Sequence, residues 1–235
     1  MIKPKDRIIV ALDIDDLYEA KSLAERLSGK VGFFKIGLEL FTKFGQHGVK
    51  VISKYGRIML DLKFHDIPNT VTRAVKVISG MKLVTFITIH AAGGREMITR
   101  ACEIVRGEGV NVLGITVLTS LDQADCAVIG INSPIGKTVI KRAKLAIECG
   151  CYGIVSSPKE VRRLRSVLGQ GPVIISPGIR LGDNTDDQKR VACPYKAIKD
   201  GANYLVIGRP ITTAWNPVEV VEGAVSEIER ALLER

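Results

Sequence analysis

The 235-residue sequence has little of what marks membrane, secreted or nucleic-acid-binding proteins. Aromatic residues make up only 5 % of the chain, with a single tryptophan. No apolar run approaches the roughly 20 residues that a membrane helix needs. Asp13, Asp15 and Asp16 interrupt the first apolar run, so no signal-peptide core follows the charged N-terminal residues. We therefore expect a cytoplasmic protein with no membrane partner.

The sequence also lacks recognisable metal-binding motifs. The three histidines are scattered, and none of the five cysteines forms a CxxC pair or a zinc-like His/Cys pattern. We expect free, buried thiols in a reducing compartment, and no bound metal.

Positive charge is in excess. There are 34 Lys and Arg against 25 Asp and Glu, a net charge of +9, which favours an anionic partner. The basic residues are dispersed and aromatics are few, so nucleic acid is a poor candidate. A phosphorylated metabolite suits the charge equally well.

Short apolar runs, typical of strands buried on both faces, alternate with longer amphipathic stretches. The predicted strands are residues 7–12, 31–36, 57–62, 83–89, 111–118, 152–155, 173–176 and 204–207. The predicted helices include residues 17–27, 70–78, 96–105, 139–148, 158–168 and 218–233. This order predicts a single (β/α)₈ TIM-barrel domain over residues 1–235, with a doubly wound open sheet as the alternative. A short extra helix is expected at 126–131, and the polar segment 178–194 is expected to be an active-site lid.

In a parallel barrel the catalytic groups lie at the carboxyl ends of the strands. Ionisable residues at these ends include Asp13, Lys35 and Arg209, although Asp13 could instead cap the first helix. On the third strand, Asp61 and Lys63 are two residues apart and therefore project from the same face. Nearby carboxylates favour the protonated form of a lysine, which suits Lys63 to donate a proton. A structural ion-pair network at the barrel rim is the alternative.

A phosphate site is expected after the last two strands. Gly178-Ile179-Arg180 follows the seventh strand and Gly208-Arg209-Pro210 the eighth, where phosphate-binding barrels hold their ligand. The Arg209 guanidinium matches phosphate oxygens, and Gln188 in the predicted lid could close over the same group.

The segment DLKFHDIPNT, residues 61–70, resembles the signature of the orotidine 5′-phosphate decarboxylase family. The resemblance spans nearly the whole chain and includes ALD at 11–13, KIG at 35–37, TIHAAGG at 88–94, LTS at 118–120, PGIR at 177–180, DQKR at 187–190 and GRP at 208–210. It implies a homodimeric barrel that converts orotidylate to uridylate and CO₂ without a cofactor, the last step of pyrimidine nucleotide synthesis.

The resemblance also implies a role for each site residue. Lys63 would protonate C6 of the pyrimidine, Asp61 would sit beside the departing carboxylate, and Lys35 and Asp66 would complete an alternating charge array. The remaining expected substrate contacts are Asp13 and Lys35 at the ribose, Thr119 at the base, Arg180, Gln188, Gly208 and Arg209 at the phosphate and lid, and Asp66, Ile67 and Thr70 from the neighbouring subunit.

Two alternatives remain open on the sequence. A metal-dependent sugar-phosphate lyase, resembling ketogulonate-phosphate decarboxylase or hexulose-phosphate synthase, would also carry an Asp-x-Lys-x-x-Asp motif. A basic nucleotide- or RNA-binding barrel without catalysis would instead show a steep dependence of binding on salt.

Overall fold

Eight parallel strands close into a barrel in a computed structural model that describes residues 2–181 and 192–234. Each strand pairs with the next along the chain, and the first pairs with the last. The strands are β1 (Ile8–Ala11), β2 (Phe33–Ile36), β3 (Arg57–Phe64), β4 (Val84–His90), β5 (Asn111–Ile115), β6 (Gly153–Val155), β7 (Val173–Ser176) and β8 (Tyr204–Ile207). The predicted (β/α)₈ barrel is confirmed, and closure excludes the doubly wound alternative.

Helices connect consecutive strands. Those described are α1 (Leu17–Arg26), α2 (Leu38–Ile52), α3 (Pro68–Gly80), α4 (Gly94–Ile104), α5 (Gln123–Val128), α6 (Ile135–Glu148), α7 (Val161–Leu168), α8 (Pro194–Lys199), α9 (Arg209–Thr212) and α10 (Pro217–Leu233). The extra helix expected at 126–131 begins three residues earlier, because Asp122 and Asp125 form a capping box at its start. None of the described helices is long and apolar enough to cross a membrane.

The strands are apolar on both faces because they separate two cores. Ile8 and Val10 of β1 point outward into the layer between strands and helices, whereas Ile9 and Ala11 point into the barrel. The same alternation recurs around the barrel, and aromatic rings fill its interior, with the Phe33 and Phe86 centroids 4.8 Å apart. This period of two residues determines which side chains can reach the barrel mouth.

The third strand departs from regular geometry around Asp61 and Lys63, the pair that the sequence predicted on one face. It extends to Phe64, two residues beyond the predicted end, and its register with β4 shifts between Leu60 and Phe64. Lys63 has a φ of +50°, a left-handed backbone conformation that is uncommon for a residue other than glycine. The fifth strand ends at Ile115, three residues before its predicted end.

The structure changes two other expectations, one about the cap of α1 and one about the cysteines. The residue that caps α1 is Asp16, whose carboxylate accepts the backbone N–H of Glu19, so the capping alternative for Asp13 is wrong. All five cysteines are free, as expected, but Cys102 is only partly buried and Cys193 is exposed.

The two ends of the predicted lid 178–194 are joined at its base. The backbone N–H of Arg180 donates to the carbonyl of Ala192, and the N–H of Ala192 donates to the carbonyl of Gly178. Residues 182–191, including Gln188, lie outside the described part of the chain.

Candidate active site

A cavity of about 420 Å³ opens at the carboxyl ends of the strands, within the usual size range of small-molecule sites. Eight of the predicted site residues line it: Asp13, Lys35, Asp61, Lys63, Thr119, Arg180, Gly208 and Arg209. Residues up to nearly 200 positions apart in sequence therefore meet in one place.

Strand alternation explains how the charged residues reach the cavity. Ala11, Phe33 and Met59 all point into the barrel interior. Two residues further along each chain segment come Asp13, Lys35 and Asp61, which share this inward direction at the mouth. The charged residues thus continue the inner core upward, where the barrel opens toward solvent.

The charged side chains alternate in sign. The ammonium of Lys35 lies 2.8 Å from Oδ1 of Asp13 and 3.6 Å from Oδ2 of Asp61. The ammonium of Lys63 lies 2.8 Å from the same Oδ2 of Asp61. The order Asp13, Lys35, Asp61, Lys63 is a chain of opposite charges, and one oxygen of Asp61 is shared by two lysines.

Mutual attraction keeps the buried members of this array ionised. The side chains of Lys35 and Asp61 are only 9 % and 10 % exposed. Burial by itself favours their neutral forms, but the carboxylates of Asp61 and Asp13 outweigh it and raise the pKa of Lys35. In the same way, Lys35 and Lys63 overcome burial and lower the pKa of Asp61. Both residues are therefore charged at neutral pH.

A glycine makes room for the first pair of the array. A Cβ atom added to Gly37, just after β2, would lie 2.8 Å from Oδ1 of Asp13 and 3.1 Å from the Lys35 ammonium. Any side chain at this position would push the pair apart. The sequence showed Gly37 only as part of a matching segment, because the steric reason exists only in the folded barrel.

A hydrogen bond that the sequence did not predict lies below the array. The hydroxyl of Thr88, which is fully buried on β4, donates to Oδ1 of Asp61 at 2.9 Å. The only sign of this contact in the sequence was a polar residue, Thr88, within an apolar stretch of β4. At the end of the same strand, burial, His65 and the cations Arg142 and Lys63 lower the pKa of His90 to about 4, so its ring is neutral at pH 7.

Loops form another part of the cavity. Gly178 and Arg180 follow β7, while Gly208 and Arg209 follow β8. Arg180 is buried, and one of its guanidinium nitrogens donates to the carbonyl of Ile179. Arg209 is exposed. Apolar side chains, among them Ile115, Val155 and Val206, also line the cavity.

Three predicted site residues lie elsewhere. Asp66 and Ile67 are exposed and line a separate, shallow groove, and Thr70 lies in the first turn of α3. The carboxylate of Asp66 accepts the backbone N–H of Ile67. Within one chain, therefore, Lys63 contacts Asp61 and not Asp66.

Comparison with known proteins matches residues 6–224 to the orotidine 5′-phosphate decarboxylase / HUMPS family. Orotidine 5′-phosphate decarboxylase of Ehrlichia chaffeensis is 45 % identical over 96 % of this chain and 98 % of its own length. That of Trichlorobacter lovleyi is 44 % identical over 95 % of both chains. The chain belongs to the orotidine 5′-phosphate decarboxylase family.

A solved member of the family has the same fold. The crystal structure of orotidine 5′-phosphate decarboxylase from Lactobacillus acidophilus superposes with a TM-score of 0.82 at 34 % identity, covering 94 % of this chain and 98 % of that chain. The family resemblance read from the sequence is thus confirmed. So is the prediction of an enzyme of the decarboxylase (lyase) class, and the alternative of a non-catalytic binding protein is set aside.

Proposed function

We propose that this chain decarboxylates orotidine 5′-phosphate to uridine 5′-phosphate and CO₂ without a cofactor. The observation that carries the proposal is the array Asp13, Lys35, Asp61 and Lys63, which lines the same cavity as Arg180 and Arg209. A substrate that carries both a reacting carboxylate and a phosphate suits this combination of charges.

In the proposed reaction, the bond between C6 and the carboxylate breaks, CO₂ leaves, and the electron pair stays on C6. The ammonium of Lys63 is fixed beside Asp61 and can stabilise this developing charge before it donates a proton to C6. Asp61 remains ionised because Lys35 and Lys63 hold its pKa down, so it repels a substrate carboxylate placed next to it.

Other contacts are proposed from residues that line the cavity. Asp13 and Lys35 would bind the ribose hydroxyls, Thr119 would lie near the base, and Arg180, Gly208 and Arg209 would bind the phosphate. Gln188, which lies outside the described residues, is proposed from the family resemblance alone to close over the phosphate. Phosphate binding far from C6 supplies energy that holds the carboxylate against Asp61.

We also propose a homodimer in which the site is completed across the interface. Asp66, Ile67 and Thr70 lie outside the cavity of their own chain, and Ile67 is 66 % exposed. An exposed isoleucine next to a carboxylate suits insertion into a neighbouring subunit. Asp66 of the partner would then be the second carboxylate beside Lys63. The proposed setting is the cytoplasm, in pyrimidine nucleotide synthesis.

Turnover of orotidylate tests the function directly. Purified protein should consume it with loss of its ultraviolet absorbance and release of CO₂. A folded sample that gives no turnover contradicts the proposal.

The metal-dependent lyase alternative is tested in the same assay. Both oxygens of Asp61 already bind Lys35, Lys63 or Thr88, which favours the decarboxylase. We expect full activity after dialysis against a strong chelator. Loss of activity that returns with a divalent cation would favour the lyase.

A further inference from the structure

Thr88 occupies a special place behind the charged array. On β4, Phe86 belongs to the barrel interior, whereas Ile87 and Ile89 face the surrounding helices. Thr88 therefore points inward, one step above Phe86, and none of its surface is exposed. A hydroxyl at such a position needs hydrogen-bond partners, because burial without them is costly.

Both partners of this hydroxyl are site residues. It donates to Oδ1 of Asp61 at 2.9 Å and accepts the backbone N–H of Lys63 at 2.9 Å. The hydroxyl donates its single proton to Asp61, and its oxygen accepts the N–H proton of Lys63. The buried hydroxyl therefore has a partner both as donor and as acceptor. With Oδ1 held by Thr88, Oδ2 of Asp61 is the oxygen that faces Lys35 and Lys63.

The backbone of Lys63 shows why such a contact matters. Its φ of +50° costs free energy, and the β3–β4 register shifts just around it. The bond from the Lys63 N–H to Thr88 lies within this irregular stretch. It therefore stabilises the turn that aims the Lys63 side chain back at Asp61.

We propose that Thr88 is a positioning residue that fixes both the carboxylate of Asp61 and the backbone of Lys63 for proton transfer. The inference rests on the function proposed above. Thr88 does not line the cavity, so its effect on the reaction passes through the two residues that it holds. Small misplacements of reacting groups are enough to slow an enzyme strongly.

Thr88→Val tests the proposal, because valine keeps the shape and removes the hydroxyl. We expect kcat to fall about 10- to 100-fold, the loss typical of a hydrogen bond to a charged group. KM should change less than about threefold, because Thr88 does not line the cavity in which the substrate would bind. Thr88→Ser, which keeps the hydroxyl, should restore kcat to within about threefold of the wild type.

The pH profile separates positioning from packing. The Thr88 hydrogen bond helps to lower the pKa of Asp61, so Thr88→Val should move the acid limb of kcat/KM to higher pH. Thr116 is the matched control: it is equally buried, but its hydroxyl donates to the carbonyl of Val155. Thr116→Val should lower thermal stability comparably and leave kcat and the acid limb unchanged.

Each outcome is decisive. If Thr88→Val keeps the wild-type kcat, or loses no more than Thr116→Val with an unmoved acid limb, the positioning role is wrong. If Thr88→Val does not fold, Thr88→Cys keeps the volume with a weaker donor and should show an intermediate kcat and a shifted acid limb; a wild-type profile would contradict the role. A wild type inactive on orotidylate overturns the proposed function and this inference together.

Discussion

Two regions of the candidate active-site cavity are built differently. The charged end stands on β1, β2 and β3, where Lys35 and Asp61 are buried and bound to charged partners. The loop-built end stands on the loops after β7 and β8, where Arg209 is exposed. Buried groups on strands are held by their partners, whereas the exposed Arg209 on a loop has room to adjust to a ligand. We therefore expect changes at the charged end to affect the reaction step and changes at the loop-built end to affect substrate capture.

The largest expected effect comes from the charged end. Lys63→Ala should lower kcat at least about a thousandfold, because it removes both the proposed proton donor and the charge proposed to stabilise C6. Lys50, exposed on α2, gives the control Lys50→Ala, which should match the wild type in the orotidylate assay. Substantial activity in Lys63→Ala would remove Lys63 from the chemistry.

The proposed sharing of the site between two subunits predicts complementation between inactive chains. Asp66→Ala alone should lose at least about a hundredfold in kcat. Mixing it with Lys63→Ala and allowing subunit exchange should restore about a quarter of wild-type activity, because half of the dimers then contain one intact site. A mixture of Lys63→Ala and Asp61→Ala should stay inactive, since both changes lie on the same wall. Equal activity of the two mixtures would place Asp66 outside the site.

Substitutions at the loop-built end should weaken substrate binding more than they slow the chemical step. Arg209→Ala is expected to raise KM about 10- to 100-fold through loss of a charge-assisted phosphate contact, with a smaller change in kcat. It should also weaken inhibition by inorganic phosphate. Arg162→Ala, at an exposed position of α7, is the control and should change neither. An unchanged KM for Arg209→Ala would contradict its assignment to the phosphate.

A methyl group at Gly37 should disturb the rigid end without touching the loops. Gly37→Ala forces a Cβ against Asp13 and Lys35, and we expect kcat/KM to fall about tenfold with the fold intact. Gly223→Ala is the control, because a Cβ there meets nothing within 4 Å. If Gly37→Ala is as active as Gly223→Ala, the Asp13–Lys35 pair does not need its observed geometry.

The smallest effect concerns stability in acid. The pKa of His90 falls from 6.5 to about 4 on folding, so protonation favours the unfolded chain. Its contribution is present above pH 6.5 and is lost as the pH falls toward 4. The free energy of unfolding of the wild type should fall when the pH is lowered from 7.5 to 5. In His90→Gln we expect this fall to be smaller by about 1 kcal/mol, a figure that allows for solvent screening of a partly exposed ring.

Urea unfolding at one protein concentration measures this difference. His47, which is exposed on α2, provides the control His47→Gln, which should keep the wild-type pH dependence. The same slope for His90→Gln and the wild type would show that His90 titrates normally in the folded protein.

Much of the fold and of the cavity could be predicted because the signals are local. Continuous apolar runs mark strands buried on both faces. The spacing of Asp61 and Lys63 predicted a contact that the structure forms, although the left-handed backbone at Lys63 shows that regular alternation is not its cause. The capping box at Asp122 and the true end of β5 were missed because they depend on single hydrogen bonds and on where pairing stops.

The sequence by itself determined the order of strands and helices, the charged residues at the strand ends and the family. Only the tertiary structure decided how those charges pair, why position 37 is a glycine and what Thr88 holds. The reason is physical: the Lys63 N–H and the Thr88 hydroxyl are 25 residues apart and meet only through the shifted register of β3 and β4. Spacing along the chain determines the face of a strand on which a residue is expected. Closure of the barrel determines which residues of different strands come into contact.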